Sequence, residues 1–356
     1  MTAPISHLPE SIIVGVDTHL DEHTAVAINH LGARQGEIQV PSNTSGYRKL
    51  ERWASSLGPL DAFGIEGTGC YGAGLSRFLS DRGYCVFEVN RPDRATRRRL
   101  GKSDPIDAEM AARSVLSGVA DQTPKTGTAE VEMIRILKSV KDSAMKARTQ
   151  AMNQIRALIV TAPTDLRDTL RVLSSSKLID RCIRLRPGSI PTPLATMKLM
   201  LRSLARRHRN LTTEIDEVRS ELSKIVSFAA PELLGIYGVG IDTASALLIT
   251  AGDNPDRLKS EPAFASLCGV SPVPASSGKT NRHRLNRGGD RRANAALYRV
   301  VIVRLKHEKR TRSYMLRRTG EGKSKLEVIR CLKRYLVREI YPVIRRLRTL
   351  SISIAA

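Results

Sequence analysis

Strand signals crowd into the first ninety residues and then stop. SIIVGVD and HTAVAIN are short apolar, β-branched runs, and GARQGEIQV reads as a third strand returning through a turn. DAFGIE and YCVFEVN supply a fourth and a fifth, with SGYRKLERWASSL and GAGLSRFLSDRG between them as amphipathic helices. The order strand, strand, strand, helix, strand, helix, strand, then a basic linker and one more helix, predicts a mixed α/β domain over residues 11–125. Beyond about residue 128 the periodicity is helical. EVEMIRILKSVKDSAMKARTQAMNQIRALIV and the stretch from LATMKLM to LSKIV predict two long helices within residues 126–230. Their spacing suits a coiled-coil or hairpin arm and suits a solvated bundle equally. A third, mainly helical segment follows over residues 231–350.

The charge is lopsided. The chain carries 58 Lys+Arg against 35 Asp+Glu, a formal +23. Residues 276–350 alone hold 23 Lys+Arg and 5 Asp+Glu, a difference of +18, so the excess lies in the C-terminal segment. That asymmetry points to a polyanion-binding surface. With aromatics at 4%, contacts to phosphates are expected rather than stacking along a single strand. No apolar run is long enough to span a bilayer, MTAPISHLPE lacks the pattern of a secretory signal, and the five scattered cysteines form no CxxC pair. A cytoplasmic protein with no membrane partner is expected.

Four carboxylates carry the chemistry. Asp17 ends the first strand and Glu66 ends DAFGIE, while Asp104 and Asp107 open the helix after the last strand, in GKSDPIDAEMA. Alone, SDPID reads as a helix start, with Asp104 as N-cap, Pro105 in the first turn and Asp107 as a capping acid. Acids at the ends of separate elements can converge on one sheet edge, where they repel unless cations lie between them. An all-oxygen set suits Mg²⁺, with Mn²⁺ as a substitute, and such pairs serve phosphodiester displacement. Strand–Asp, strand–Glu, then D-x-x-D is the order of an RNase H-like nuclease core. GVDTH also begins like the phosphate loop of the actin-like sugar kinases, and GIEGTGCYGAG after it is glycine-rich, but that fold needs a second α/β half.

GVDTH, GIEGTGCYG and KSDPIDAEMAAR resemble the DEDD-type transposases of bacterial insertion sequences, which pair a RuvC-like N-terminal domain with a C-terminal transposase domain. ELLGIYGVGIDTASALLIT, FASLCGVSPVPASSGK and RGGDRRANAALYR resemble that second domain. The resemblance covers about residues 11–345. It implies that Asp17, Glu66, Asp104 and Asp107 are catalytic and bind Mg²⁺. It also implies that a serine nucleophile falls on Ser277, with Ser276 beside it as the alternative. It implies further a guide RNA encoded by the element that pairs with donor and target DNA; holding two duplexes together calls for a homo-oligomer of two or four copies, with the helical arm as the candidate contact.

In the C-terminal segment LLGIYGVGIDTASALLI reads as a helix–hairpin–helix, Gly238 and Gly240 allowing a tight turn that could present amides to a phosphate. A plain αα-hairpin fits the same residues. Lys279, Arg282, Arg284, Arg287, Arg291 and Arg292 form a basic run suited to phosphate oxygens, and Arg304, Lys306, Lys309, Arg310 and Arg312 extend it. A metal-only nuclease with no covalent intermediate, and a non-catalytic nucleic-acid-binding protein, are the alternatives.

Overall fold

The computed structural model describes residues 11–89, 103–127, 130–188, 192–254, 258–278 and 283–346. The described chain divides into two compact units, the first ending at Gly127.

The first unit is built on a five-stranded sheet. Its strands are β1 (Ile12–Thr18), β2 (Glu22–Asn29), β3 (Arg34–Pro41), β4 (Leu60–Glu66) and β5 (Val86–Val89), in spatial order β3-β2-β1-β4-β5. β1 pairs antiparallel with β2 and parallel with β4, so the sheet is mixed. Side chains alternate across it. Ile12, Val14 and Val16 face one core with α1 (Thr44–Ser56) and α2 (Ala73–Ser80), whose Leu50, Leu75 and Leu79 are fully buried. Ile13, Val26, Ile28 and Ala62 face a second core formed with α3 (Asp104–Leu116), through Ala108, Ala111, Ala112 and Val115. The five strands and three helices of this unit's described residues fall where the sequence predicts them. The basic run before α3 lies outside the described residues.

Two glycines set how closely α3 can lie on the sheet. A Cβ at Gly15 would sit 2.0 Å from the Ala108 carbonyl oxygen and 2.3 Å from the Ala112 nitrogen. A Cβ at Gly64, the register partner of Gly15, would sit 2.7 Å from Val115 Cγ2 and 2.9 Å from the Ala111 carbonyl oxygen. The small residues of α3 thus seat helix backbone almost directly on strand backbone.

The second unit opens with α4 (Glu130–Val160), the first of the two long helices, which runs antiparallel to α7 (Pro193–Ala229). At one end Ile134 shares a core with Leu222 and Val226; at the other, Ile155 and Ile159 share one with Leu201 and Ala205. The far end is capped by α5 (Thr164–Arg171) and α6 (Ser175–Ile183), two short helices that sequence periodicity did not separate. The near end merges into the core of α8 (Pro231–Leu234), α9 (Ile241–Ala251), α10 (Glu261–Leu267), α11 (Arg291–His307), α12 (Lys309–Gly320) and α13 (Lys325–Arg346). An ion cluster of two buried lysines and two partly exposed carboxylates reinforces that end. Lys141, with its side chain 4% exposed, donates to both Asp242 oxygens at 2.6 and 2.7 Å, and Lys138 bridges Asp142 and Asp242.

Between α10 and α11 a two-stranded hairpin, β6 (Val273–Pro274) and β7 (His283–Arg284), projects from a tightly closed base. Gly269 and Gly289 both have positive φ, and a Cβ at Gly289 would fall within 2.7 Å of the Ser266 and Leu267 carbonyls. Only glycine serves there. Asp290 closes the base, its carboxylate accepting from the Arg292 and Ala293 amides as the N-cap of α11 and from the Thr250 hydroxyl.

Candidate active site

Asp17 and Glu66 follow Gly15 and Gly64 by two residues on adjacent parallel strands, so their side chains leave the sheet on the face that α3 covers. The Thr18 hydroxyl donates to the Glu66 carbonyl at 2.8 Å and ties the two strand ends together. From the helix side come Asp104, the first residue of α3, and Asp107, 3% exposed and turned toward the sheet. The N-cap of α3 is Ser103, with no bond from its side chain, so Asp104 stands one position later than its reading as a cap.

Asp17, Asp104 and His19 converge. His19 Nε2 lies 3.3 Å from Asp17 Oδ2 and 3.4 Å from Asp104 Oδ1. Among the described residues these three form the one group of potential ligand atoms all within 4.8 Å of one another. Burial pushes the Asp17 carboxyl above its ordinary range; His19 pulls it down, and the charges of Asp104 and Asp107 push it up again. Like charges held together against their own repulsion are what a bound cation relieves. The donor set, carboxylate oxygens with one imidazole at the rim, fits a hard or borderline divalent ion. Glu66 follows Ile65, the register partner of Val16, and lies outside that three-residue group. Sequence reasoning missed His19, whose signal was its place two residues after the strand-ending Asp17.

In the second unit Ser277 is exposed on the loop of the β6–β7 hairpin, next to Gly278 with its positive φ. Arg284, Arg287, Arg291 and Arg292 are exposed, while Lys279 and Arg282 lie outside the described residues. Arg304 departs from the expected footprint. Its side chain, 12% exposed, donates to the Tyr237 carbonyl and makes two bonds to Glu339, which fixes the turn before α9 to α11 and α13. Gly238 has φ +85° and packs on Val300. The Gly240 amide donates to the Thr243 hydroxyl, and α8 before the turn is only four residues long.

A mixed sheet with an acidic edge under a closely seated helix, followed by a second unit built of long and short helices, defines a RuvC-like enzyme that acts on nucleic acid. The matches to known proteins identify which. Residues 14–162 match the DEDD transposase model of the IS110 type, and residues 230–316 match the transposase model of the IS116/IS110/IS902 family. The chain is 25% identical over 249 residues to the transposase for insertion sequence element IS1328 of Yersinia enterocolitica, covering 67% of this chain and 71% of that one. It is 27% identical over 117 residues to an uncharacterized 43.6 kDa protein of insertion element IS110 from Streptomyces coelicolor, 33% of this chain and 29% of that one. The chain belongs to the DEDD-type transposases of the IS110 family and is a DNA transposase. Among the described residues no helix is long and apolar enough to cross a membrane.

Proposed function

We propose that this transposase cuts and rejoins DNA through a covalent serine intermediate, with Asp17, Glu66, Asp104 and Asp107 holding Mg²⁺. The observation that carries the reading is the convergence of Asp17 and Asp104 within 3.3 and 3.4 Å of His19, beside Glu66 and Asp107, at one sheet edge. The bound ion would polarise the phosphodiester and stabilise the oxygens of the displacement. Asp17 and Asp107, buried, would hold position, while the half-exposed Asp104 and Glu66 would face the strand. Ser277 Oγ attacks phosphorus, an Oγ–P bond forms, and the bond to the 3′-oxygen breaks. The 3′-oxygen leaves as a hydroxyl, taking up one proton for the one that Oγ gives up. The serine–phosphate ester conserves the bond, so a 3′-hydroxyl from a second strand can reverse the step and join to it.

The three functional parts are residues 11–125 for the acids, 126–230 for the arm, and 231–350 for the serine and DNA-contacting surface. Arg291 and Arg292 support that surface: cations in the first turn of α11 oppose the helix dipole and are at ease only beside a polyanion. The turn at Gly238 and Gly240 would act as a helix–hairpin–helix contact. With the Gly240 amide engaged by Thr243, the phosphate would meet the first turn of α9 instead. The arm is the oligomer contact, on the exposed apolar row Met133, Ile136 and Val140 of α4. A guide RNA would read sequence, in keeping with a chain rich in arginine for backbone contacts and poor in stacking aromatics. Such a complex would act in the cytoplasm, on the bacterial nucleoid.

The test is an SDS-resistant adduct between protein and DNA, using protein co-expressed with its flanking element DNA and RNA. An adduct that needs Mg²⁺ and is lost in Ser277→Ala and Asp17→Ala, but kept in Ser276→Ala, is the expected result. Cleavage without an adduct, indifferent to Ser277→Ala, would sink the covalent reading and leave a metal-only nuclease.

A further inference from the structure

At the root of the hairpin that carries Ser277 lies a cavity of about 610 Å³, within the roughly 300–1,000 Å³ usual for small-molecule sites. One wall is Gly269–Pro272 and His283–Asn286, the two legs of the hairpin; the other is a face of α13. Six cations line it (Arg284, Lys323, Arg330, Lys333, Arg334 and Arg338) against one carboxylate, Glu327, which accepts from the Ser324 amide and hydroxyl. Arg334 is committed to Glu261 outside the lining. The rest outnumber any acid that could balance them.

Lys333 is the telling residue. It is 6% exposed, and its Nζ donates at 2.7 Å to Asn294 Oδ1. The Asn294 amide nitrogen is fixed on the Cys268 and Gly269 carbonyls, so Oδ1 is held toward the lysine. Among the described residues no carboxylate pairs with Lys333. Burial, then the Arg330 charge, pushes its ammonium below the ordinary lysine range. A buried cation supported by one neutral amide is a costly arrangement that an anion in the cavity would relieve. Tyr335, 46% exposed, lines the same cavity, with the Arg338 guanidinium 5.5 Å from its ring centre. Together they offer flat surfaces for a nucleobase.

We propose that this cavity is a nucleotide pocket, taking one unstacked nucleotide of a bound strand with its phosphate toward Arg330 and Lys333 and its base beside Tyr335 and Arg338. The pocket would hold a strand next to the Ser277 hairpin. The inference rests on the nucleic-acid-binding part of the proposed function and not on serine chemistry or metal.

The test is calorimetric titration of the full chain, in EDTA, with pyrophosphate and with the dinucleotides pTpT and pUpU, which are too short to span the outer basic surface. Lys333→Met and Arg330→Gln should each weaken all three probes at least 10-fold. Tyr335→Ala should weaken only the dinucleotides, and Lys49→Gln, an exposed cation on α1 of the first unit, should change nothing. A preference for pTpT assigns the pocket to DNA, and a preference for pUpU assigns it to RNA. Wild-type affinity in both Lys333→Met and Arg330→Gln, or an equal loss in Lys49→Gln, would overturn the proposal. Because neither Ser277 nor a divalent ion enters this measurement, a failed adduct assay leaves it intact, and the reverse also holds.

Discussion

Replacing Gly15 by alanine should damage the acidic site without touching any acid. The added methyl would lie 2.0 Å from the Ala108 carbonyl oxygen and 2.3 Å from the Ala112 nitrogen, both backbone atoms that no rotamer change can move. Restoring tolerable contact requires α3 to retreat by at least about 1 Å. Overpacking of this kind costs about 1–3 kcal/mol. For a unit of this size that corresponds to a drop in melting temperature of roughly 3–6 °C per kcal/mol. The helix carries Asp104 and Asp107, so the retreat pulls them away from Asp17 and Glu66. Misplacement by about 1 Å is enough to cost on the order of 100-fold in a positioned reaction.

Two further glycines make the reasoning quantitative. Gly64→Ala meets Val115 Cγ2 at 2.7 Å and the Ala111 carbonyl at 2.9 Å, a milder clash, whereas a Cβ at Gly69 meets nothing within 4 Å. The order of damage should be Gly15→Ala, then Gly64→Ala, then Gly69→Ala near wild type. Thermal unfolding reads the stability, and titration with Mn²⁺, followed by its electron paramagnetic resonance signal, reads the acids. A Gly15→Ala protein that melts with wild type and keeps its Mn²⁺ affinity would refute the idea that the seating of this helix sets the site.

Two other outcomes are expected. The Lys141 bond and charge, with Lys138, hold the Asp242 carboxyl below its ordinary range although burial pushes it up. Its contribution to stability is therefore present above the usual carboxylate pKa and is lost as pH falls through the depressed folded value. Asp242→Asn should cost about 1–2 kcal/mol at pH 7, less than a fully buried pair because the carboxylate is 43% exposed; urea titrations down to pH 3 should show the gap closing. Replacing Arg284, Arg287, Arg291 or Arg292 by glutamine should lower the salt dependence of DNA affinity by about 0.9 in log–log slope for each phosphate that the variant no longer neutralises. Filter binding across a salt series measures it, and an unchanged slope in all four variants would remove that face from the interface.

The first unit was legible in the sequence because most of its strands are apolar runs, and two of them, β1 and β4, carry the carboxylates Asp17 and Glu66 at their ends. The long helices were legible from period alone. Two kinds of feature were not. Close approach leaves little trace: Gly15 sits in an ordinary apolar run, and only the fold shows Ala108 and Ala112 above it. Partner identity leaves none. Arg304 and Arg312 look alike along the chain, yet one is locked to Tyr237 and Glu339 and the other is exposed. Along the chain Asp290 is merely the one acid between Lys279 and Arg292, yet in the fold it is the cap that starts α11 and closes the hairpin base. Nothing along the chain sets Lys333 apart from the basic residues around it, and only burial does.

The placement of these groups bears on how the chemistry can be dissected. The carboxylates belong to one compact unit, and Ser277, with the cavity at the root of its hairpin, belongs to the other. Each group is held by packing inside its own unit: the acids by the seating of α3 on β1 and β4, the hairpin by Gly269, Gly289 and Asp290. A defect made in one unit should therefore leave the local chemistry of the other intact. Gly15→Ala should lose Mn²⁺ affinity while keeping dinucleotide affinity, and Lys333→Met should do the opposite. Loss of both properties in either variant would mean that the two units do not fold independently, and the division of labour argued from their cores would fall with it.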